Sequence, residues 1–128
     1  MHRLLTAHGD APADVVWTRY VEPARWPGWS PQIRRAESSD PVLRSGSTGR
    51  VFSLPGVSFP FTVLSVDDDR RRWAWKVHLP LGVVLTLDHL VQPDGDGSRT
   101  ALRVHGPAPL VLAYAPLAQI ALNRLVRR

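Results

Sequence analysis

An α+β fold, with one face of an antiparallel sheet laid against a C-terminal helix, is what these 128 residues predict. Three observations predict it. The stretch from Pro107 to Arg128, PAPLVLAYAPLAQIALNRLVRR, carries no charge before Arg124 and has helical spacing. From Gln32 onward the period changes to strands separated by short turn signals. Alternation then gives those strands one apolar, aromatic face, and a one-sided antiparallel sheet needs a partner to cover it.

In chain order, Arg3 to His8 makes a short first strand. Asp10 caps a helix over Ala11 to Tyr20, with Pro12 early and Asp14 in the first turn, where a carboxylate suits the helix dipole. That helix buries Val15, Val16 and Trp17. Pro23, Pro27 and Pro31 limit Val21 to Ser30 to a second short helix and a corner holding Trp26 and Trp29.

Strands follow at Gln32 to Glu37, Ser47 to Leu54, Phe59 to Val66, Arg72 to Leu79, Val83 to Gln92 and Arg99 to His105. Turns are expected at Pro55-Gly56, in the run Asp67 to Arg72, at Pro80-Leu81-Gly82 and at Pro93-Asp94-Gly95-Asp96-Gly97. Connections this short make an antiparallel meander. Trp73, Trp75, Val77 and Leu79 share one face with Val83, Leu85, Leu87, His89 and Val91, and with Thr100, Leu102 and Val104. On the opposite face Asp88 can pair with Lys76 or Arg103.

The terminal helix lines up Leu110, Tyr114, Leu117, Ala121 and Leu125. Its first half is apolar all round and needs cover, and Pro116 predicts a kink by removing the amide that would bond to Leu112. The uncharged run is short of the ~20 residues of a membrane span, so a buried helix is expected instead.

Composition narrows the function classes. Hydrophobic residues are 44% and charged residues 21%, a globular balance in a length that suits a single domain, 1–128. Without cysteine there is no disulfide or thiolate metal site, and no histidine pair has metal-ligand spacing, so no metal or cofactor is expected. Residues 1–16 lack the apolar core of a secretory signal, which makes a cytoplasmic protein the expectation. The net charge of +5 raises the question of nucleic acid. The arginines are spread along the chain, however, and Arg70 to Arg72 follow Asp67 to Asp69, a self-neutralised turn, so no nucleic-acid partner is expected.

Several short motifs, in order, carry a resemblance. They are Ala13-Asp14-Val15-Val16-Trp17, Arg25-Trp26-Pro27-Gly28-Trp29-Ser30-Pro31, Gly46-Ser47-Thr48-Gly49, Trp73-Ala74-Trp75, Leu87-Asp88-His89-Leu90-Val91 and Asn123-Arg124-Leu125. Together they resemble the START/Bet v1-like (SRPBCC) superfamily and, within it, the polyketide cyclase/dehydrase-like proteins. The resemblance implies a helix-grip fold: a curved antiparallel sheet wrapped around a long C-terminal helix, with two short helices after the first strand. It also implies an apolar cavity for a lipid, sterol or polyketide-like guest.

His89, a histidine on an apolar face, has two readings: a general acid/base, or a neutral core residue bonded to backbone or Tyr114. Asp88 cannot be its dyad partner, because neighbouring strand residues face opposite ways. No nucleophile motif or catalytic triad stands out. The expected ligand wall comprises Trp26, Phe52, Phe61, Trp73, Trp75, Leu87, His89, Leu102, Leu110, Tyr114 and Leu117, with Trp29 assigned to corner packing. A void of ~300 Å3 would cost about 7 kcal/mol if left empty, so it holds a guest or water, or the five tryptophans have filled it.

Three functions follow from this reading. The first is binding of a small hydrophobic molecule between sheet and helix. The second is a polyketide cyclase or dehydratase in which His89 moves a proton and Tyr114 donates a hydrogen bond. The third is an interaction module docking through the last helix, with a homodimer left open.

Overall fold

The computed structural model describes residues 1–54 and 56–128, with the Leu54 side chain outside that description. The chain forms β1 (His2–Gly9), α1 (Ala13–Val21), a 3-10 turn (Pro23–Arg25) and α2 (Trp26–Trp29). Then come β2 (Arg35–Ser38), β3 (Thr48–Leu54), β4 (Val57–Asp67) and β5 (Arg72–His78). A second 3-10 turn (Pro80–Gly82), β6 (Val84–Asp94), β7 (Gly97–His105) and α3 (Ala108–Leu125) complete it. The seven strands make one curved antiparallel sheet in the order β1-β7-β6-β5-β4-β3-β2. β2 to β7 form the meander and β1 closes the β7 edge. This is the helix-grip arrangement.

Register follows the alternation of the sequence. Trp73 lies opposite His89, Trp75 opposite Leu87, and Val77 opposite Leu85; Leu87 and His89 in turn face Val104 and Leu102. All these side chains are buried, while Lys76, Arg103 and His105 are exposed on the other face. Pairing of β6 with β7 persists to Asp94 and Gly97, so the turn is only Gly95-Asp96, with Gly95 at φ +58, the left-handed region such a turn needs. The turn expected at Pro55-Gly56 falls partly outside the described residues.

Several local expectations are corrected. Asp10 does not cap α1, which starts later, behind Pro12, with no side-chain cap. Its carboxylate instead accepts the backbone N–H of Arg128 at 3.0 Å, a contact across the whole chain. Val15 points outward, 41% exposed, while Val16 is fully buried. The strand expected from Gln32 begins at Arg35, leaving Gln32 and Ile33 in the approach to it. Asp88 pairs neither with Lys76 nor Arg103 but with Arg72, at 2.6 Å. The acidic-basic turn is only partly self-neutralised: Arg70 pairs with Asp67, whereas Arg71 reaches Asp14 on α1.

The helix α3 runs unbroken through Pro116, and of the expected stripe it buries Ala121 and Leu125 but not Leu110, Tyr114 or Leu117. Val111, Ala115, Ala118, Leu122 and Leu125 are buried, with Ala121 beside them. Leu110 and Tyr114 are half-buried, and Leu117 is 46% exposed. A helix that is apolar all round offers several candidate stripes, and residue size decides among them. The alanines let α3 approach the sheet closely, leaving the bulkier Leu110-Tyr114-Leu117 stripe at the edge of the contact.

The grip on α3 is tightest at its C-terminal end. Gln119 Nε2 donates to Thr6 O at 2.9 Å, and the Ala11 amide donates to Val126 O, also at 2.9 Å. Gly9, at the end of β1, sits directly beneath the Val126 carbonyl, where any Cβ would collide with backbone. Around Gly28 the space is open. Gly9→Ala is therefore expected to cost about 2 kcal/mol or more and to lower Tm by roughly 5–10 °C, with Gly28→Ala near wild type. Equal thermal melts for the two variants would contradict this packing.

Candidate functional site

The concave face of the sheet carries its largest side chains at one end. Trp73 and His89, paired across β5 and β6, stack with ring centroids 4.1 Å apart and planes 7° from parallel. Tyr20 from α1 approaches His89 edge-on at 5.1 Å, and Trp26 from α2 approaches Trp75 edge-on at 5.0 Å. Phe61 packs against Trp75 on the far side, also at 5.0 Å. Helix α2 has only four residues, yet it fixes Trp26, whose indole N–H donates to Tyr20 O at 2.8 Å. Trp29 is fixed in the same way by a 3.2 Å bond to Arg19 O.

Between these rings and α3 the space is nearly filled, leaving an inner cavity of about 30 Å3. Trp26, Trp73, Trp75, His89, Leu102 and Tyr114 are among its walls, together with Tyr20, Trp29, Gln32 and Ile33. Towards the first half of α3 the space widens to an outer cavity of about 190 Å3. There Phe52, Trp75, Leu87, Tyr114 and Leu117 are joined by Val51, Phe59, Val77 and Leu85. Trp75, Tyr114, Gln32 and Ile33 line both, so the two form one cleft with a narrow inner end. Phe52 and Val51 both line it although they are neighbours on β3, whose register with β4 turns irregular after Phe52. Wider concavities lie on the surface, one of about 520 Å3 walled by Arg19, Arg25, Arg124, Arg127 and Arg128. The arginines are thus less dispersed than the sequence suggested.

The electrostatics of the inner end follow from burial. His89 Nδ1 lies 3.2 Å from Trp73 O, and a carbonyl only accepts, so Nδ1 carries the proton and Nε2 keeps its lone pair. Burial lowers the imidazole pKa from 6.5 to about 4, against smaller opposing effects of that hydrogen bond and Asp88. The ring is neutral at pH 7, bonded to backbone and not to Tyr114. Burial pushes the Tyr114 and Tyr20 phenols up, so both keep their protons. Tyr20 donates to Thr100 Oγ1 at 2.7 Å, and the Thr100 hydroxyl in turn donates to Leu90 O at 3.1 Å. Gln32 Oε1, Trp73 Nε1 and Trp75 Nε1 are buried without any hydrogen-bond partner.

Of the residues singled out from sequence, the cleft brings together all but Phe61 and Leu110. Phe61 is buried behind Trp26 and Trp75, and Leu110 is half-buried near the start of α3. Tyr20, Gln32, Ile33 and Trp29 were not expected on the wall. Strand alternation already placed Val77 and Leu85 on the right face; nothing local marks Gln32. Among the described residues no three of His, Cys, Asp and Glu are placed to hold a metal ion. Nor is any helix there long and apolar enough to cross a membrane.

A family model described as "Polyketide cyclase / dehydrase and lipid transport" matches residues 5–128. The chain belongs to that family. No curated protein matches it. Among solved structures, the chain is similar to the di-domain ARO/CYC BexL from the BE-7585A biosynthetic pathway (TM-score 0.82, 17% identity). The match covers 98% of this chain and 45% of BexL, under half of that longer protein. Ara h 8.0201 is similar at TM-score 0.77 and 11% identity, over 98% of this chain and 94% of the other. Norcoclaurine synthase from Thalictrum flavum, solved with dopamine and hydroxybenzaldehyde, gives 0.63 and 20%, over 98% and 87%. At such identities these likenesses concern the fold. In this member of the polyketide cyclase/dehydrase family, indoles almost close the inner end of the cleft.

His89 gives the cleft a pH dependence. Between about 4 and 6.5 the unfolded chain binds a proton that the folded chain refuses, so stability is complete above that window and falls as pH drops through it. The full loss from this residue is roughly 3 kcal/mol. Denaturant melts from pH 7 to 5 should show a flatter decline for His89→Gln than for wild type; parallel declines would contradict a buried neutral His89.

Proposed function

We propose that this protein binds a small hydrophobic molecule, aromatic, lipid or polyketide-like, in the cleft between its sheet and α3. One observation carries the reading: an apolar cavity of about 190 Å3 persists between the two layers although α3 has alanines with which to close on the sheet. The space is lined mainly by apolar side chains and opens beside the half-exposed Leu117, so an apolar guest that fills it removes that lining from water. The family description, which includes lipid transport, supports the same reading, as does the likeness to BexL and to norcoclaurine synthase.

A cyclase or dehydratase using His89 as general acid/base is the second reading. His89 Nε2 is free to accept a proton at the inner end, and Tyr114 can donate to a guest carbonyl. At a pKa of about 4, however, the imidazole holds no proton to give at neutral pH and is a weak base, away from the range that suits proton transfer. That ranks binding first. The interaction module ranks last, because the expected patch is not contiguous: Leu112 is 51% exposed but Val111 is fully buried and Leu110 half-buried.

Native mass spectrometry of freshly purified protein should show a noncovalent adduct that denaturation releases. Leu117→Trp, which puts an indole at the cleft wall, should abolish it. Bare protein that also fails to take up any added apolar compound would overturn the binding reading.

A further inference from the structure

The outer side of α3 is apolar where a helix that meets only water would be polar. Val111, Ala115, Ala118, Leu122 and Leu125 are buried, which leaves Pro109, Leu112, Ala113, Pro116, Leu117 and Ile120 together on the opposite side. All six are exposed, and Leu112, Leu117 and Ile120 each by about half. Unlike the run Leu110 to Leu112, this set is contiguous, a stripe roughly 16 Å long without a polar side chain. Leu81, fully exposed on the second 3-10 turn, stands near its start: Gly106, just ahead of α3, lies against Val84 and Leu85, just after that turn.

The stripe ends in positive charge. Arg124 follows Ile120 one turn later on the same side, and with Arg19, Arg25, Arg127 and Arg128 it walls the surface concavity of about 520 Å3. Arg25 is paired with Glu22 and Arg128 is bonded to Asp10, but Arg124 and Arg127 form no ion pair among the described residues. No carboxylate side chain belongs to α3, nor to β1, α2 or β7, which pack against it.

An apolar strip followed by unpaired cations matches the layering of an anionic bilayer surface, acyl chains below a plane of negative headgroups. A second copy of the chain matches it less well. Two-fold pairing along α3 would set each arginine end on its partner's apolar or arginine end, with no carboxylate on either helix to receive it. The stripe also meets the cleft, because Leu117 belongs to both.

We propose that this protein docks on anionic lipid bilayers through the outer side of α3, so that the cleft exchanges its guest with the membrane. Leu112, Leu117 and Ile120 enter the boundary between headgroups and acyl chains, while Arg124 and Arg127 meet the lipid phosphates. The docking is peripheral, since no helix among the described residues is long and apolar enough to cross. The exchange rests on the binding reading above and adds the source of the guest, an apolar molecule dissolved in the bilayer.

Sedimentation of the whole protein with phosphatidylcholine vesicles, with and without about 30% phosphatidylglycerol, tests the docking. Partitioning is expected to be at least about ten-fold stronger on the anionic vesicles and to weaken as salt is raised. Arg124→Gln with Arg127→Gln should lose about twenty-fold on those vesicles, and Leu112→Ser with Ile120→Ser about ten-fold. All four side chains are exposed and none lines the cleft, so thermal melts and guest uptake stay at wild type. Equal partitioning on the two vesicles, or partitioning untouched by either pair of substitutions, overturns the docking. So does a dimer in the ultracentrifuge that ignores vesicles and that Leu112→Ser with Ile120→Ser dissolves, since a second copy then covers the stripe. Native mass spectrometry reads the cleft separately. An adduct without vesicle binding removes the docking and leaves the binding reading standing; vesicle binding by a protein that takes up no apolar compound removes the exchange and the binding reading together.

Discussion

A size mismatch between the two layers governs this structure. The concave face of β5 runs from Trp73 through Trp75 to Val77, while the paired β6 runs from His89 through Leu87 to Leu85. Side chains thus shrink along β5 from indole to valine, while along β6 an imidazole gives way to two leucines. Opposite the large end, α3 presents Ala118 and Ala121, so indole and imidazole rings fit against small residues and the space closes. Opposite the small end, α3 turns Leu117 partly outward, and the space between the layers stays open there. The cleft exists where the gradient runs out. Each buried tryptophan removes ~150–250 Å2 from water, worth up to about 4–6 kcal/mol, so the filled end also anchors the helix.

The same arrangement sets the chemistry. Every carboxylate and guanidinium that forms an ion pair does so outside the cleft, as Arg72 does with Asp88 and Arg71 with Asp14. The cleft is left with neutral polar groups: a histidine held neutral by burial, tyrosines held protonated by burial, two indole N–H groups and one amide. Such a lining orients a guest by hydrogen bonds and cannot hold a charged one. It gives a physical reason for ranking recognition above proton transfer.

Much of this was legible in the sequence, and the part that was not has identifiable causes. Period-two alternation assigned the buried faces of β5, β6 and β7 because each is solvated on one side only, and it put His89 among apolar neighbours. The sequence motifs and the family match agree on the helix-grip fold. The register of α3 was misread because a helix with Leu, Val and Ala on every side has no single apolar stripe; the choice of Ala115 and Ala118 comes from what stands opposite, which periodicity does not contain. Asp10 was misread because its partner, Arg128, is at the other end of the chain. Gln32 was invisible for a similar reason: it lines the cleft with two tryptophans more than forty residues away.

All of these readings require that the apolar space between sheet and α3 exists in solution. Xenon enters dry apolar cavities and perturbs the methyl groups around it. Methyl NMR under xenon pressure is expected to shift Val77, Leu85 and Leu87 in a saturable way and to leave Leu4 and Leu112, on the outside of sheet and helix, unchanged. Shifts that are absent, or that are no larger at the cleft than at those exposed residues, would mean that the two layers have closed on each other.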